Sequence, residues 1–294
     1  MSQVWVVGEV LIDLIPKGAD RKPIIGGGPA NTAKALSKFG IDTQFIDGIS
    51  SDEYGQMAKH ELVTSGVKLD YIKYSDKPTC LAIVSLSDSG SASYEFVIED
   101  TATFDFILDW LPNPQTERPL LLHIGTLATV IEPGASVLFE WAQSVSKAAP
   151  IVFDPNIRPA VMNHREKYVK QVERWVSISS AVKVSDEDIR WLYPSIEIDQ
   201  VVNNSLAKGP SLIVVTYGDK GLAGYRVGEK VSVDAIKVAV ADTVGAILVE
   251  AIVKDGLSSL SGMRLEMMLK RAAKAAAITV SRSGANPPTL KEIE

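Results

Sequence analysis

The sequence predicts an α/β fold: a doubly wound, mostly parallel sheet flanked by helices, with a small antiparallel β lid. Three observations point there. From about residue 120, short apolar runs alternate with helical stretches, which is the pattern of a parallel sheet. Residues 68–98 differ, carrying three strand-like runs with no helix between them, so they are expected to pair antiparallel; the pattern fits a lid over a site and an edge extension of the main sheet about equally. The chain has 294 residues, 46% of them hydrophobic and 22% charged, enough to bury a large core.

Taken in order, residues 4–8 and 11–15 read as strands and residues 29–39 as a helix with Pro29 in its first turn. Residues 43–49 read as one strand and 52–64 as a helix capped by Ser51. The runs at 71–74, 80–86 and 93–98 form the small sheet, with turn-rich Ser87-Asp88-Ser89-Gly90 between two of them. The parallel strands are expected at 120–124, 150–153, 181–184 and 212–215. Helices are expected at 133–147, 164–177 and 186–206, the last broken at Pro194. Two further strands, 221–226 and 230–238, precede helices at 245–254 and 260–280, the latter alanine-rich and suited to close packing. The whole chain, 1–294, reads as one domain, with the lid sheet drawn from about 9–25 and 68–98.

Composition excludes several function classes. Acidic residues outnumber basic ones, 36 to 30, giving a net charge of −6, which argues against a nucleic-acid footprint. One cysteine, Cys80, rules out an intrachain disulfide and a four-cysteine zinc site; it reads as a small apolar filler. No apolar run approaches the roughly 18 residues of a membrane span. The first residues read as a strand, and a cytoplasmic protein is expected. The phosphate-loop and dinucleotide glycine patterns, the nucleophile elbow and the zinc-protease pattern are absent; His60-Glu61 lacks its second histidine because Thr64 stands there. His123 is expected to be a hydrogen-bonded core residue.

Ligands of an open α/β sheet bind beyond the carboxyl ends of its strands. The predicted strands end in Gly125-Thr126, in Asp154-Pro155-Asn156-Ile157-Arg158, in Ser185-Asp186-Glu187-Asp188, in Thr216-Tyr217-Gly218-Asp219, and in Asp242-Thr243-Val244-Gly245-Ala246. Polar, charged and glycine residues on one edge indicate a polar-ligand site. Two segments say more. Gly26-Gly27-Gly28-Pro29-Ala30-Asn31 places three glycines before a helix start, where backbone N–H groups approach a ligand, and Asn31 adds a paired donor and acceptor suited to a sugar hydroxyl. Asp242–Ala246 opens a second helix, whose first N–H groups suit a transferred phosphoryl group; an ordinary Asp/Thr cap explains the same residues without catalysis.

These segments, in this order and nearly end to end, resemble the ribokinase-like (PfkB) sugar kinases, particularly their fructokinase branch. Gly8-Glu9-Val10-Leu11-Ile12-Asp13 resembles the opening strand pair, Gly26–Asn31 with Gly40 the first signature, and Asp154–Pro159 the fructokinase Asp-Pro-Asn-x-Arg-Pro run. Thr216-x-Gly218 with Gly221 resembles the nucleotide-phosphate turn, and Ser283–Pro288 the loop beside the adenine. The resemblance implies an ATP-dependent kinase using magnesium, with potassium as a further ion. Asp13, Gly26, Gly27 and Asn31 would bind the sugar, and Arg158 would lie near the sugar or the transferred phosphate. Lys183, Thr216, Gly218, Gly221 and Asn286 would line the ATP site, and Gly245 and Ala246 would form the anion hole. Asp242, Val244 and Gly284 would hold potassium, and Asp188 would belong to a magnesium-associated motif whose two ends, Ser185 and Asp188, both differ from the family pattern. Fructose, phosphorylated to fructose 6-phosphate, is the specific substrate implied. A homodimer through the lid is expected, with no nucleic-acid or membrane partner.

One departure bears on catalysis. The family's second signature closes on an aspartate that takes the proton from the attacking sugar hydroxyl. Here Ala246 is followed by Ile247-Leu248, and Leu248 accepts no proton, so the base is missing at that position. The string reads as though a short segment, of the kind Gly-Asp-x-x-x-x-Gly, had been lost between Ala246 and Ile247. A true loss is expected to remove the helix start that builds the anion hole and to strain the chain at Ala246. The competing readings are a non-catalytic sugar- or nucleotide-binding pseudokinase, and a kinase for another sugar such as ribose or 2-keto-3-deoxygluconate. Glu95, Phe96 and Glu99 lie on the lid, facing in directions the sequence leaves open.

Overall fold

A computed structural model describes residues 3–18, 20–86, 92–236, 241–282 and 286–294. Its strands in chain order are β1 (Val4–Val7), β2 (Leu11–Lys17), β3 (Asp20–Gly26), β4 (Thr43–Ile46), β5 (Gly48–Ser50), β6 (Lys73–Ser75) and β7 (Leu81–Leu86). They continue as β8 (Ala92–Val97), β9 (Leu121–Gly125), β10 (Ile151–Asp154), β11 (Ala181–Ser185), β12 (Leu212–Thr216), β13 (Leu222–Arg226) and β14 (Glu229–Val233). The longer helices are α1 (Gly28–Lys38), α2 (Glu53–Thr64), α3 (Gly134–Val145), α4 (Arg165–Ile178), α5 (Asp186–Leu192), α6 (Ile198–Leu206), α7 (Ala241–Asp255) and α8 (Gly262–Val280).

The main sheet has eight strands in the order β14-β13-β12-β11-β10-β9-β1-β4. Strands β4 to β12 run parallel, and the β13–β14 hairpin closes one side antiparallel. The order reverses at β1, which pairs with both β4 and β9, so the crevice of a doubly wound sheet opens there. Alternate side chains enter two cores. Trp5, Leu122, Phe153 and Trp175 pack on one face, while Val6, Leu121, Val214 and the alanines of α8 pack on the other. The close packing expected of α8 is present: Ala272, Ala273, Ala275 and Ala276 are buried, and Leu265 fills the space over Gly224.

The lid is a four-stranded sheet in the order β3-β2-β7-β8, spanning residues 11–26 and 81–97. Its pairing corrects the sequence expectation. Only β7–β8 and β2–β3 are antiparallel; β2 and β7 run parallel, and β6 leaves the lid to pair parallel with β5. The single strand expected at 43–49 breaks at Asp47, whose fully buried carboxylate accepts the Val10 and Gly48 N–H groups. Helix α2 is capped by Asp52, which accepts the Gly55 N–H, and not by Ser51, whose hydroxyl turns to Asp76. Pro194 does separate α5 from α6.

The largest departure is α7. The helix expected from 245 begins at Ala241 and runs unbroken to Asp255, with Val244, Ala246, Ile247, Leu248 and Val249 all fully buried. The chain crosses Ala246–Ile247 inside a regular helix, so the expected strain at Ala246 is absent. Below this helix, alternation along β9, β10 and β11 brings His123, Asp154 and Lys183 to the same sheet face. Lys183 is fully buried, and its ammonium lies 3.1 Å from Asp154 Oδ2. His123 is buried, but it is not the hydrogen-bonded residue expected: neither ring nitrogen finds a partner among the described residues. Burial and the Lys183 charge push its pKa down to about 3, so it is neutral. Cys80 is fully buried, and burial pushes its thiol pKa up, as suits a filler.

The Lys183–Asp154 pair makes a stability test. Lys183→Met strands a buried carboxylate and should cost about 3–5 kcal/mol in urea unfolding near neutrality. Lys183→Met with Asp154→Leu should recover most of that loss; equal losses in the single and double variants would mean the pair is not coupled.

Candidate active site

The site is built where β1, β9 and β10 end, under the lid and between the starts of α1 and α7. A cavity of about 600 Å³ lies there, lined by Glu9, Leu11, Asp13, Gly27, Gly28, Asn31, Tyr94, Phe96, Leu127, Arg158, Pro159, Ala160 and Asp242. Its lining mixes the charged Glu9, Asp13, Arg158 and Asp242 with aromatic and apolar side chains, of which Tyr94 and Phe96 of the lid stack at 6.2 Å between ring centroids. Such a mixed cavity suits a small polyhydroxylated ligand.

The glycine loop is built for close approach. Gly27 has φ 102°, and a Cβ there would stand 2.4 Å from the Glu9 carbonyl oxygen. A Cβ on Gly26 would lie 2.3 Å from Asp13 Oδ2. Helix α1 then starts with Pro29 in its first turn and carries Asn31 to the cavity wall. Asn31 Nδ2 donates to Asp242 Oδ2 at 3.1 Å, and Thr32 Oγ1 donates to the Asp242 carbonyl, so the starts of α1 and α7 are tied together. Among the described residues Asn31 Oδ1 has no hydrogen-bond partner.

The cavity strains its own carboxylates. Burial raises the Asp13 pKa to about 6, the Asp242 charge pushes the same way, and Arg158 opposes both. Burial raises Glu9 to about 7 and Asp154 to about 6. Arg158 is anchored by Nη1, which donates to Asn156 Oδ1 at 2.8 Å and to the Asn156 and Ile157 carbonyls. The Arg158 N–H donates to the Tyr168 hydroxyl and the Ile157 N–H to Asp188 Oδ1.

The structure thus brings Asp13, Gly27, Asn31, Arg158 and Asp242 into one cavity, with Gly26 packed behind Asp13. It separates several other residues from it. Thr216, Gly218 and Gly221 form a turn closed by the Tyr217 N–H on the Gly221 carbonyl; a second cavity of about 590 Å³ lies beside it, lined by Tyr217, Lys220, Leu222, Lys230 and Asp234 among others. Lys183, fully buried under α7, is bound to Asp154. Asn286 accepts from Lys38, the last residue of α1, at the far end of that helix from the cavity.

Asp188 spends Oδ1 on Ile157 and Oδ2 on the Ser185 N–H, in a capping box at the start of α5. Gly245 and Ala246 sit at the fifth and sixth positions of α7, where N–H groups bond to carbonyls four residues back. The N–H groups of Ala241, Asp242 and Thr243, in the first turn of α7, have no carbonyl partner within the helix. The Val244 carbonyl lies within the same helix, and Gly284 falls outside the described residues. Among the described residues no three His, Cys, Asp or Glu side chains gather as metal ligands. No helix among them is long and apolar enough to cross a membrane.

Sequence reasoning missed Glu9, Tyr94 and Leu127 as cavity residues. The signal for Glu9 was present: it is a charged residue inside an otherwise apolar opening strand pair. Of the lid residues left undirected, Phe96 faces the cavity.

Raised carboxylate pKa values carry a stability consequence. Asp13 favours its protonated form in the fold, so its contribution is intact below the unfolded value of 3.8 and is lost as pH rises through about 6. Asp13→Asn should therefore stabilise the ligand-free protein above that range, by about 1–3 kcal/mol, and give no gain in acid. Thermal melts across pH test this; a gain that is the same at every pH would contradict it.

Comparison with known proteins agrees with this geometry. The family model described as pfkB family carbohydrate kinase matches residues 1–292. The fructokinase of Rhizobium leguminosarum bv. trifolii is 32% identical over 81% of this chain and 74% of its own length. The probable fructokinase-4 of Arabidopsis thaliana is 30% identical, covering 100% of this chain and 96% of its own. Among solved structures, the fructokinase of Xylella fastidiosa with bound ATP superposes with a TM-score of 0.90 at 25% identity, over 99% of this chain and 96% of its own.

Proposed function

The chain belongs to the pfkB family of carbohydrate kinases, and from that premise we propose that it phosphorylates fructose to fructose 6-phosphate at the expense of ATP. The observation that carries this reading is the convergence of Asp13, Asn31, Arg158 and Asp242 on one cavity at the carboxyl edge of the sheet. Fructose is favoured by the Asp154–Pro159 run and by relatives named fructokinases at 28–32% identity.

In this mechanism Asp13 and Asn31 hold sugar hydroxyls. The base is Asp242, standing in for the aspartate absent at Leu248. Its carboxylate borders the cavity, and Asn31 Nδ2 orients it. It takes the proton as the sugar oxygen attacks. The first-turn N–H groups of Ala241, Asp242 and Thr243 supply the anion-stabilising role first read from Gly245 and Ala246, aided by the positive end of the helix. Arg158 offsets charge on the transferred group. ATP arrives as its magnesium complex and reaches the Thr216–Gly221 turn. Magnesium carried by the nucleotide would supply offsetting charge on the phosphates, and the protein contributes mainly positioning and electrostatics. The ATP-bound relative supports this choice of donor. A potassium ion beside Asp242 and the Val244 carbonyl is the further cation expected of this site, as in the fructokinase of Vibrio cholerae with fructose, ADP and potassium bound. A homodimer through the lid fits the exposed Tyr94 and Val97 on edge strand β8.

ADP release should be sugar-dependent, with fructose preferred among common ketoses and aldoses. Asp242→Asn should lower kcat by about 10²–10⁴-fold while fructose still raises the melting temperature. A wild-type protein that fructose stabilises without any turnover would instead support the binding-protein reading.

A further inference from the structure

Glu9 follows β1 directly and is 3% exposed, yet it lines the cavity. Both of its carboxylate oxygens are engaged by the loop after β9: Oε1 accepts from the Thr126 hydroxyl, and Oε2 accepts from the Ala128 N–H at 3.4 Å. Thr126 needs such a hold. It is a β-branched residue with φ 57°, in the left-handed region that such residues rarely occupy. Its own carbonyl is pinned by the Thr129 hydroxyl at 2.7 Å. The Thr126 methyl in turn lies 2.9 Å from where a Gly28 Cβ would stand, so Thr126 abuts the first residue of α1. Glu9 shares the cavity lining with Arg158, whose charge favours its ionised form and whose guanidinium Asn156 anchors, itself a non-glycine residue at φ 38°.

We propose that Glu9 is a positioning residue for phosphoryl transfer: its ionised carboxylate locks Thr126 and Ala128 against the start of α1 and sets a negative charge in the cavity that Arg158 also lines. The proposal rests on the sugar-kinase reading of this cavity. It gives the strained turn after β9 a purpose, since one buried charge sets the wall that carries Asn31. Thr126 and Ala128 donate best to a carboxylate, because charge-assisted hydrogen bonds are roughly twice as strong as neutral ones.

The titratable groups around Glu9 come from four places: Arg158 from the loop after β10, Asp47 after β4, Cys80 before β7, and Tyr168 from α4; of these only Arg158 carries a lasting charge near neutrality. Burial is the largest influence and lifts Glu9 to about 7; the Thr126 hydroxyl and Arg158 pull it back. The ionised form therefore becomes dominant as pH rises through neutrality, and kcat/KM for fructose should rise with it. This limb is distinct from the one that Asp13 gives at about 6.

The experiment is the pH profile of kcat/KM and of kcat for wild type, Glu9→Gln and Thr126→Val, each with a melting curve. Wild type should show an ionisation near 7. Glu9→Gln keeps an acceptor for Thr126 but carries no charge. It should lose that ionisation and fall about tenfold above it, with little change below it. Thr126→Val removes the hydrogen bond that lowers Glu9, so the ionisation should move upward. A structural role alone would lower the melting temperature and leave both profiles in place. If Glu9→Gln turns over with the wild-type ionisation unchanged, or if Thr126→Val leaves it unmoved, the proposal is overturned while the kinase reading stands. If wild type itself releases no ADP with any sugar, the kinase reading fails and takes the proposal with it.

Discussion

Three successive glycines with no room for a side chain hold this site together. A Cβ at Gly26 would meet the Asp13 carboxylate, at Gly27 the Glu9 carbonyl, and at Gly28 the Thr126 methyl, the Asn156 amide and the Asp242 carboxylate, all at 3.3 Å or less. Backbone therefore lies where side chains would normally separate the lid strand β2, the ends of β9 and β10, and the start of α7. Because the gap is closed by backbone, Asn31 reaches Asp242 directly and one cavity collects residues far apart in sequence. Widening that loop would part the sugar-facing groups from the helix start opposite.

The energetic cost falls on buried charge. Glu9, Asp13 and Asp154 all ionise less readily than exposed carboxylates, and burial is the leading cause each time. A binding site for hydroxyl groups needs such acceptors in a dry place, so the fold gives up stability to keep them. Arg158 and Lys183 offset part of the cost from opposite sides: Arg158 faces the cavity, and Lys183 is sealed beneath α7 against Asp154.

Much of this was legible in the residues. The apolar runs before Gly125, Asp154 and Thr216 marked parallel strands, and the polar residues closing them marked the edge where ligands bind. The glycine run before Asn31 and the Asp154–Pro159 run carried the family resemblance. What could not be read was contact across the sequence. Ser185 and Asp188 align with a magnesium-associated motif from which both ends depart, and only the Ile157 and Ser185 N–H groups on Asp188 show how that carboxylate is spent. Lys183 sits next to a strand end, but strand alternation turns it inward under α7. The pairing of β2 with β7 depends on a crossover that local pattern does not encode. The start of α7 was misplaced because Asp242-Thr243 reads as a cap before Gly245; in the fold the helix begins at Ala241, and Asp242 becomes a cavity residue.

The central claim is that Asp242 takes the place of the aspartate missing at Leu248. A crystal structure with fructose and a non-hydrolysable ATP analogue tests it most directly. The sugar should lie between Asp13 and Asn31, with the hydroxyl to be phosphorylated about 2.6–3.2 Å from an Asp242 carboxylate oxygen and directed at the terminal phosphate. Fructose bound with that hydroxyl out of reach of Asp242, or Asp242 turned away from it, would contradict the account.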